Sequence, residues 1–324
     1  MQRYLLRRLL FSLFAVWATV TLTFLFMRAL PGDPITTMVG SEGDPSQIEV
    51  IKNRLGLDKP VPIQYFYYIR SIARLDLGDS IYLRLPVLDQ MKAALPRSLS
   101  LALIAFIIGV GIGIPAGVIS AVRRYSIWDH LATLIAFTGL AMPAFWLGIV
   151  LIILVGVKAN LWFGFGLPVF GYVPLRDSSG LHFWPWLSHL ILPAIATGTG
   201  IAAILARQTR SAMLETLSQD YIRTAYAKGM REWVVIWRHA FRNSLIPVIT
   251  VMGIVLALLL NGVVIIESVF AFKGLGRLLV DSILGRDYPM VQGVIIFIAI
   301  LFISANFIVD ILYAFINPRI RYSD

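Results

Sequence analysis

Four polar side chains interrupt long apolar runs of the sequence, and they are the first candidates for a chemical role. Asn261 and Glu267 belong to the fifth of these runs, and Asn306 and Asp310 lie one helical turn apart in the sixth. Polar groups inside a bilayer are costly, so they usually face protein or water rather than lipid. These four residues are therefore candidates for the lining of a translocation path, with a position at the membrane interface as the alternative for Glu267.

Two arginines, Arg207 and Arg210, close the fourth apolar run. If the runs cross a membrane in alternation, Asp310 lies at a similar depth. We expect an ion pair between Asp310 and these arginines that fastens helix ends. The alternative is that the charges belong to a translocation path.

Catalysis and metal binding find little support. His182 and His189 are seven residues apart without an evident Cys or carboxylate partner, so they favour an aromatic interfacial loop over a metal site. The sequence has no GxxxxGK[ST] phosphate loop and no HExxH pattern. We therefore expect no enzyme activity and no cofactor on this chain, and a driving force supplied from elsewhere.

The composition requires a membrane. Hydrophobic residues make up 58% of the 324 residues and charged residues only 14%, which is more apolar surface than a water-soluble domain can bury. The net charge of +10 is scattered along the chain, which argues against nucleic acid as a partner. Six continuous apolar runs predict transmembrane helices near residues 9–30, 99–121, 131–157, 188–207, 245–267 and 290–316.

Basic residues fall at alternate ends of these spans. The positive-inside rule then places both termini and the loop 211–244 in the cytoplasm. The first run is too long for the apolar region of a signal peptide, so we expect a retained span. The basic residues that set this orientation outside the loop are Arg3, Arg7, Arg8, Arg123, Arg124, Arg319 and Arg321.

A polar stretch between the fourth and fifth spans predicts a short helix over residues 219–228. Ser218 is a suitable N-cap, and Asp220 places an anion in the first turn, where the helix dipole favours it. Gly229 stands where a left-handed residue ends a helix. The residues expected to share one face of this helix are Tyr221, Ile222, Ala225 and Tyr226.

A second short helix is predicted from Arg231 to about residue 243. Trp233 and Trp237 lie on one side of it, and Arg238 and Arg242 lie on the other. This pattern is typical of a helix in the membrane interface.

The letters DYIRTAYAKG and RHAFRNSLIPVIT of this stretch resemble the EAA loop of bacterial ABC-importer permeases, above all those of the dipeptide, oligopeptide and nickel group. LPGDP, LGLDKPVPIQY and DLGDS, together with NPRIRY at 317–322, extend the resemblance over nearly the whole chain. The general motif begins with Glu-Ala-Ala. Arg223-Thr224-Ala225 replaces it here, so a contact made by that Glu does not carry over.

The resemblance implies a type I ABC importer permease fold: an all-α membrane protein with six transmembrane helices, a folded helical external segment after the first, and a cytoplasmic coupling helix between the fourth and fifth. It also implies a second homologous permease subunit, two ATPase subunits that hold ATP and Mg, and an external substrate-binding protein. The residues implied for the ATPase-coupling helix are Asp220, Tyr221, Ile222, Arg223, Thr224, Ala225, Tyr226, Lys228 and Gly229.

The predicted organisation is an N-terminal span (1–30), an external helical segment (31–97) and a five-helix core (98–324). Within the external segment, Asp44-Pro45 predicts a helix that ends at Gly56, and a second helix is predicted over 62–75. Its aromatic residues either pack on the other external helices or lie at the membrane interface, or they form a contact surface for a binding protein. The binding-protein contact candidates are Tyr65, Tyr68 and Arg277.

Small residues and prolines mark the remaining features of the spans. The glycines of the second span predict a face that packs closely on another helix. Each proline either kinks its span or serves as a hinge. The residues concerned are Gly109, Gly111, Gly113, Gly117, Pro115, Pro143 and Pro193.

The function that fits best is the permease subunit of an importer in the bacterial cytoplasmic membrane. A self-sufficient carrier or channel is the alternative, although such a protein needs ionisable groups at mid-membrane. A non-transporting membrane scaffold is a third possibility. Permeases of the resembled group handle di- or oligopeptides, glutathione, opines, sugars and nickel, and the sequence does not distinguish among these cargoes.

Overall fold

The computed structural model describes residues 2–29 and 59–316, apart from residue 165, and this part of the chain is almost entirely helical. Six helical stretches are long and apolar enough to cross a membrane, which confirms the expected all-α membrane fold. They are Leu6–Ala29, Val87–Val122, Ala144–Phe163, Phe183–Leu217, Glu232–Leu256 and Tyr288–Phe307.

The elements are numbered here in chain order. Helices α1 to α6 are Gln2–Ala29, Val61–Ala73, Val87–Val122, Ile127–Ala141, Ala144–Leu151 and Ala159–Phe163. Helices α7 to α12 are Phe183–Leu217, Asp220–Ala227, Glu232–Val234, Arg242–Val269, Leu275–Leu284 and Tyr288–Ile316. Two π-helical turns, Ile152–Lys158 and Val235–Phe241, join α5 to α6 and α9 to α10. A small antiparallel hairpin pairs β1 (Arg176–Asp177) with β2 (Gly180–Leu181).

The third predicted span is divided rather than continuous. Helix α4 ends at Ala141, the backbone of Met142 and Pro143 is extended, and α5 begins at Ala144. Proline has no N–H to donate and disfavours helical geometry in the residue before it. Pro143 therefore separates two helices, where the sequence alone predicted one span over 131–157.

The predicted separate helix after Arg231 is also different in the structure. A short turn, α9, passes through the π-helical turn Val235–Phe241 directly into α10. The interfacial segment and the fifth span thus form one helical rod. The apolar run carries no signal for a π turn, because the extra residue changes the hydrogen-bond register and not the hydrophobic pattern.

The described chain forms two compact units. The larger contains Arg97–Lys273 and the residues from Ala305 onward, and the smaller contains Gln2–Pro96 and Gly274–Ser304. Helix α7 forms the centre of the larger unit, where Leu190 and Leu205 are fully buried together with Phe270, the residue that follows α10.

Three glycines of α3 allow it to approach α7 closely. A Cβ added at Gly109 would lie 2.5 Å from the side chain of Ile201, and one added at Gly113 or Gly117 would lie 2.6 or 2.5 Å from a main-chain oxygen of α7. Such separations are well inside van der Waals contact. The predicted close packing is confirmed for these three positions, whereas Gly111 faces open space.

Two parts of the smaller unit bear on the predictions. Helix α2 agrees with the helix predicted over 62–75, while the helix predicted from Asp44 to Gly56 lies outside the described residues, as does the motif at 317–322.

Asp287, which the sequence analysis did not single out, is 2% exposed. It accepts hydrogen bonds from the hydroxyl of Ser80 and the backbone N–H groups of Ile81 and Met290, so it fixes a loop to the start of α12.

The histidines of the aromatic loop have structural partners. His182 Nε2 lies 3.1 Å from Asp177 Oδ1, so the expectation that it lacks a carboxylate partner was wrong. Hydrogen bonds from the side chain and backbone of Ser179, with the nearby His182 ring, lower the pKa of Asp177 to about 2. The ring of His189 hydrogen-bonds to the carbonyl of Pro185 through Nδ1. Within residues 2–29 and 59–316, no group of three or more potential ligands is placed to hold a metal.

Candidate functional site

Helix α8, Asp220–Ala227, is a short helix with a well-defined C-terminus, inside the range that the sequence predicts. Gly229 adopts a φ of 71°, the left-handed conformation expected of it. The N–H of Gly229 bonds to Tyr226 O and the N–H of Met230 to Ala225 O, the two bonds of a Schellman motif. The helix therefore stops at a fixed place and the chain leaves it in a fixed direction.

The N-terminus of α8 differs from the prediction. Ser218 does not cap it, because its hydroxyl donates to the carbonyl of Glu215 at the end of α7. Gln219 occupies the N-cap position without a side-chain hydrogen bond to the helix. Ser218 thus satisfies a carbonyl of the preceding helix, and a serine between two helices can serve either one.

Two buried side chains anchor α8 to the rest of the larger unit and form what is called here its seat. Ile222 is 1% exposed and Ala225 is 6% exposed. They belong to an apolar cluster that draws on α3, α7 and the π turn Val235–Phe241, with Val118, Met213 and Val235 among its members. The seat is therefore built where three long helices end or begin.

The remaining side chains of α8 face outward. Tyr221 and Tyr226 are 42% and 46% exposed, so the four residues predicted to share one face are divided between the seat and the surface. Asn243 donates a hydrogen bond to Tyr221 Oη at 2.9 Å. The pair Asp220–Arg223, at 3.8 Å and almost fully exposed, adds little stability. The exposed residues of α8 are Asp220, Tyr221, Arg223, Thr224, Tyr226 and Ala227, and Lys228 and Gly229 just after the helix are exposed too.

A buried carboxylate fastens the start of α4 to α7. Asp129 is 3% exposed, and Arg210 donates to both of its oxygens, from Nε at 3.0 Å and from Nη2 at 3.1 Å. Ser120 Oγ and the N–H of Tyr125 donate to the same carboxylate. All of its strong acceptor positions are used, which makes this a satisfied buried ion pair.

The structure gives Arg210 a partner that the sequence did not predict, because Arg210 bonds to Asp129, eighty-one residues away. The predicted ion pair with Asp310 stays a prediction. The side chain of Asp310 lies outside the described residues. A local signal for Asp129 existed, because Ser126 caps α4 and accepts a hydrogen bond from Asp129 N. That signal marks a helix start and cannot name a partner on another helix.

The four path candidates receive different environments. Glu267 is completely buried and accepts a hydrogen bond from Ser98 Oγ, which favours a role in holding helices together. Asn306 is half-buried on α12. The side chains of Asn261 and Asp310 are not among the described ones, and their roles stay predictions.

The candidate binding-protein contacts lie in the smaller unit. The rings of Tyr65 and Tyr68 each lie 5.2 Å from the ring of Phe24 on α1, and Tyr65 Oη is 2.6 Å from Thr21 Oγ1. Both tyrosines therefore pack against α1, which is a candidate membrane span and not one of the external helices that the sequence analysis expected them to contact. The exposed aromatic residues of α2 are Phe66 and Tyr67.

Arg277, the third candidate contact, lies on α11. Its Nε is 3.4 Å from Asp281 Oδ2, one helical turn away, and about a third of its side chain is exposed. Because the pair lies at the surface, it contributes little to stability and leaves Arg277 accessible.

Comparison with known families gives two matches that together span the chain. The model of the family described as "Binding-protein-dependent transport system inner membrane component" matches residues 113–322. The model that describes the N-terminal part of such membrane components matches residues 1–102.

Individual relatives cover almost the full length. The chain is 42% identical to the dipeptide transport system permease protein DppB of Escherichia coli (strain K12), over 99% of both chains. It is 43% identical to a putative peptide transport system permease protein of Brucella abortus (strain 2308), over 99% of this chain and 100% of the relative. An inward-facing structure of the MetNI methionine ABC transporter shares the fold, with a TM-score of 0.55 and 18% identity over 70% of this chain and 96% of that one.

Proposed function

Because this chain belongs to the family of binding-protein-dependent transport system inner membrane components, we propose that it is the permease subunit of an ABC importer that carries di- or oligopeptides into the cell. It is a multi-pass membrane protein. Relatives at 42% and 43% identity are named as dipeptide and peptide permeases, which supports peptides as the cargo.

The geometry of α8 carries the proposal. Its inner side is fixed by Ile222 and Ala225, and its outer side is free. Helix α7 runs unbroken from Phe183 to Leu217 and leads into α8 through two residues. A protein that grips the outer side of α8 therefore moves α7 with it. We assign this grip to an ATPase subunit, so that nucleotide binding shifts a two-state permease.

The complete importer in this proposal has further subunits. A second homologous permease completes the path, two ATPases hold ATP and Mg, and an external binding protein delivers the cargo. Asn261, Asn306 and Asp310 remain the path candidates, while the burial of Glu267 speaks for a structural role. Arg277 remains a candidate contact with the binding protein, and Phe66 and Tyr67 replace Tyr65 and Tyr68 in that role because of their exposure.

Docking of the ATPase is tested by two matched tyrosine variants. Tyr226 on α8 and Tyr67 on α2 are 46% and 48% exposed, so Tyr226→Ala and Tyr67→Ala remove similar surface from different helices. We expect Tyr226→Ala to weaken co-purification of the ATPase and peptide uptake by tenfold or more, about the effect of losing one interface hot spot. Tyr67→Ala should leave ATPase association unchanged. Equal ATPase recovery with both variants contradicts the docking role of α8.

Orientation is tested by cysteine labelling, because the sequence contains no cysteine and every introduced thiol is unique. We propose that both termini and α8 face the cytoplasm. A membrane-impermeant maleimide should label Tyr82→Cys in intact cells and Tyr226→Cys only in inverted vesicles. The opposite pattern contradicts the proposed topology.

Reconstitution of the chain alone separates this proposal from a self-sufficient carrier. Liposomes that hold only this chain should not accumulate labelled dipeptide, whereas liposomes with the co-purifying ATPases, binding protein and ATP should. Uptake by the chain alone contradicts the proposal. A ligand screen on the co-purifying binding protein then identifies the cargo.

A further inference from the structure

A second feature of the larger unit is a cleft beside the α8 seat. It has a volume of about 350 Å³ and lies between the end of α3, the start of α4 and the π turn Val235–Phe241. Its wall is apolar, and a single charged side chain, Arg123, takes part in it. The other lining residues used here are Ile119, Val122, Trp128, Ile236 and Trp237.

The guanidinium of Arg123 has no ion pair or side-chain hydrogen bond to any residue whose side chain the structure describes. Its neighbour Arg124 differs, because it lies over the ring of Tyr125 at 4.6 Å and does not line the cleft. A cation at the edge of an apolar cleft suits a ligand with an anionic head and a hydrocarbon body.

An exposed apolar stripe continues from the cleft along α3. Ile112, Pro115 and Ile119 lie one helical turn apart, on the same side as Arg123, and the two isoleucines are 55% and 47% exposed. From position 112 to position 123 the helix rises by about 16 Å. That is a length along which a fatty acyl chain can lie.

The surroundings of the cleft favour an anion and an interfacial depth. Segments 123–129 and 207–242 carry nine Arg or Lys against four Asp or Glu, and the ion pair between Asp129 and Arg210 brings these segments together. Trp128 is 57% exposed at the rim, and Trp237 stacks between Trp233 and Phe241 at 5.2 and 5.1 Å. Exposed tryptophans of this kind gather at the level of lipid head groups.

We propose that the cleft binds one anionic phospholipid of the surrounding leaflet, with its phosphate on Arg123 and an acyl chain along Ile119, Pro115 and Ile112. Ile236 and Trp237 belong to the turn that supports α8, so the lipid bridges α3 to the seat of the helix. The inference needs the chain to be inserted in a membrane, and it does not depend on the cargo or on the ATPase.

The test is native mass spectrometry of the full chain, with the subunits that co-purify, in a mild detergent. Phosphatidylglycerol and phosphatidylcholine with identical acyl chains are added in turn, and phosphatidylglycerol is also added with excess inorganic phosphate. Wild type should retain phosphatidylglycerol about fivefold better than phosphatidylcholine, corresponding to about 1 kcal/mol from one basic side chain. Arg123→Gln should abolish this preference, and the matched Arg124→Gln should keep it.

A second variant covers the case in which Arg123→Gln does not fold. Ile119→Trp keeps the charge but fills the cleft, so it should reduce retention of both lipids. The inference is overturned if wild type does not distinguish the two lipids, or if Arg123→Gln and Arg124→Gln lose phosphatidylglycerol equally. It is overturned as well if inorganic phosphate displaces the lipid completely, because the site then recognises a free anion.

Discussion

Two short helices of this protein, α8 and α2, are attached to their units in opposite ways. In α8, two side chains are buried in an apolar cluster and the outer side makes few contacts. In α2, which is longer, no residue is buried. Its attachment to α1 is peripheral, through the ring contacts of Tyr65 and Tyr68 with Phe24 and the hydrogen bond between Tyr65 and Thr21.

The difference bears on what each helix can transmit. A buried seat resists tilting, because every displacement opens a gap in a packed cluster. Peripheral polar and aromatic contacts yield at lower cost, because water can replace the lost hydrogen bonds. We therefore expect α8 to act as a rigid lever, and α2 to adapt its position to a partner.

The largest effect is expected from Ile222→Ala, which would leave α8 attached almost as weakly as α2. Ile222 is 1% exposed, and truncation of such a residue costs about 3 kcal/mol. Proteolysis and amide hydrogen exchange of residues 218–230 in detergent should show local opening of α8, with the six spans intact. Exchange as slow as in wild type would show that the apolar seat is not what holds the helix.

A smaller effect is expected from Asp129→Ala, which leaves Arg210 unpaired beneath the seat. Because one third of the Arg210 side chain is exposed, we expect a loss of about 2 kcal/mol of unfolding free energy, less than for a fully buried pair. The control is Asp177→Ala in the exposed hairpin, whose thermal midpoint should stay near that of wild type. Equal midpoints for both variants would show that burial of Asp129 is unimportant.

Gly229→Ala tests how firmly the C-terminal end of α8 is held. A methyl group there meets no atom within 4 Å, so only the left-handed backbone opposes it, at about 1 kcal/mol. The matched control is Gly111→Ala, where the space is equally open and the backbone is helical, and where alanine should be neutral or slightly stabilising. Fraying of α8 measured by hydrogen exchange should therefore rise in the first variant only.

The smallest effect is expected from Tyr65→Phe, which removes the hydrogen bond to Thr21 but keeps the ring contact with Phe24. We expect a loss below about 1 kcal/mol and local to α2, because the contact is partly open to water. Hydrogen exchange of residues 61–73 measures it. A cooperative loss of the whole smaller unit would show that α2 is held more firmly than its burial suggests.

The sequence predicted those features that are local. Long apolar runs marked the six spans, Gly229 marked the end of α8, and the glycine spacing on α3 marked a closely packed face. Each of these signals lies within a few turns of one helix. The division of the third span at Pro143 was only half visible, because a proline inside an apolar run can bend a helix or end it.

What the sequence could not predict depends on contacts between distant elements. Arg210 could pair with any carboxylate at its depth, and only the packing of α4 on α7 selects Asp129. The division of α8 into Ile222 and Ala225 inside, and Tyr221 and Tyr226 outside, is similar. All four side chains are apolar or aromatic, so the periodicity fits either orientation until the neighbouring helices fill one side.

The glycine contacts between α3 and α7 have a mechanical consequence. Because the backbone of α3 lies directly against α7 at Gly109, Gly113 and Gly117, neither helix can slide past the other without collision. If α8 is the coupling helix, a force applied to it would therefore be carried by α3 and α7 together, and not by α7 alone. Helices that slide relative to one another would therefore have to do so on another surface of the bundle, and the extended residues Met142 and Pro143 offer one place where a span is already interrupted.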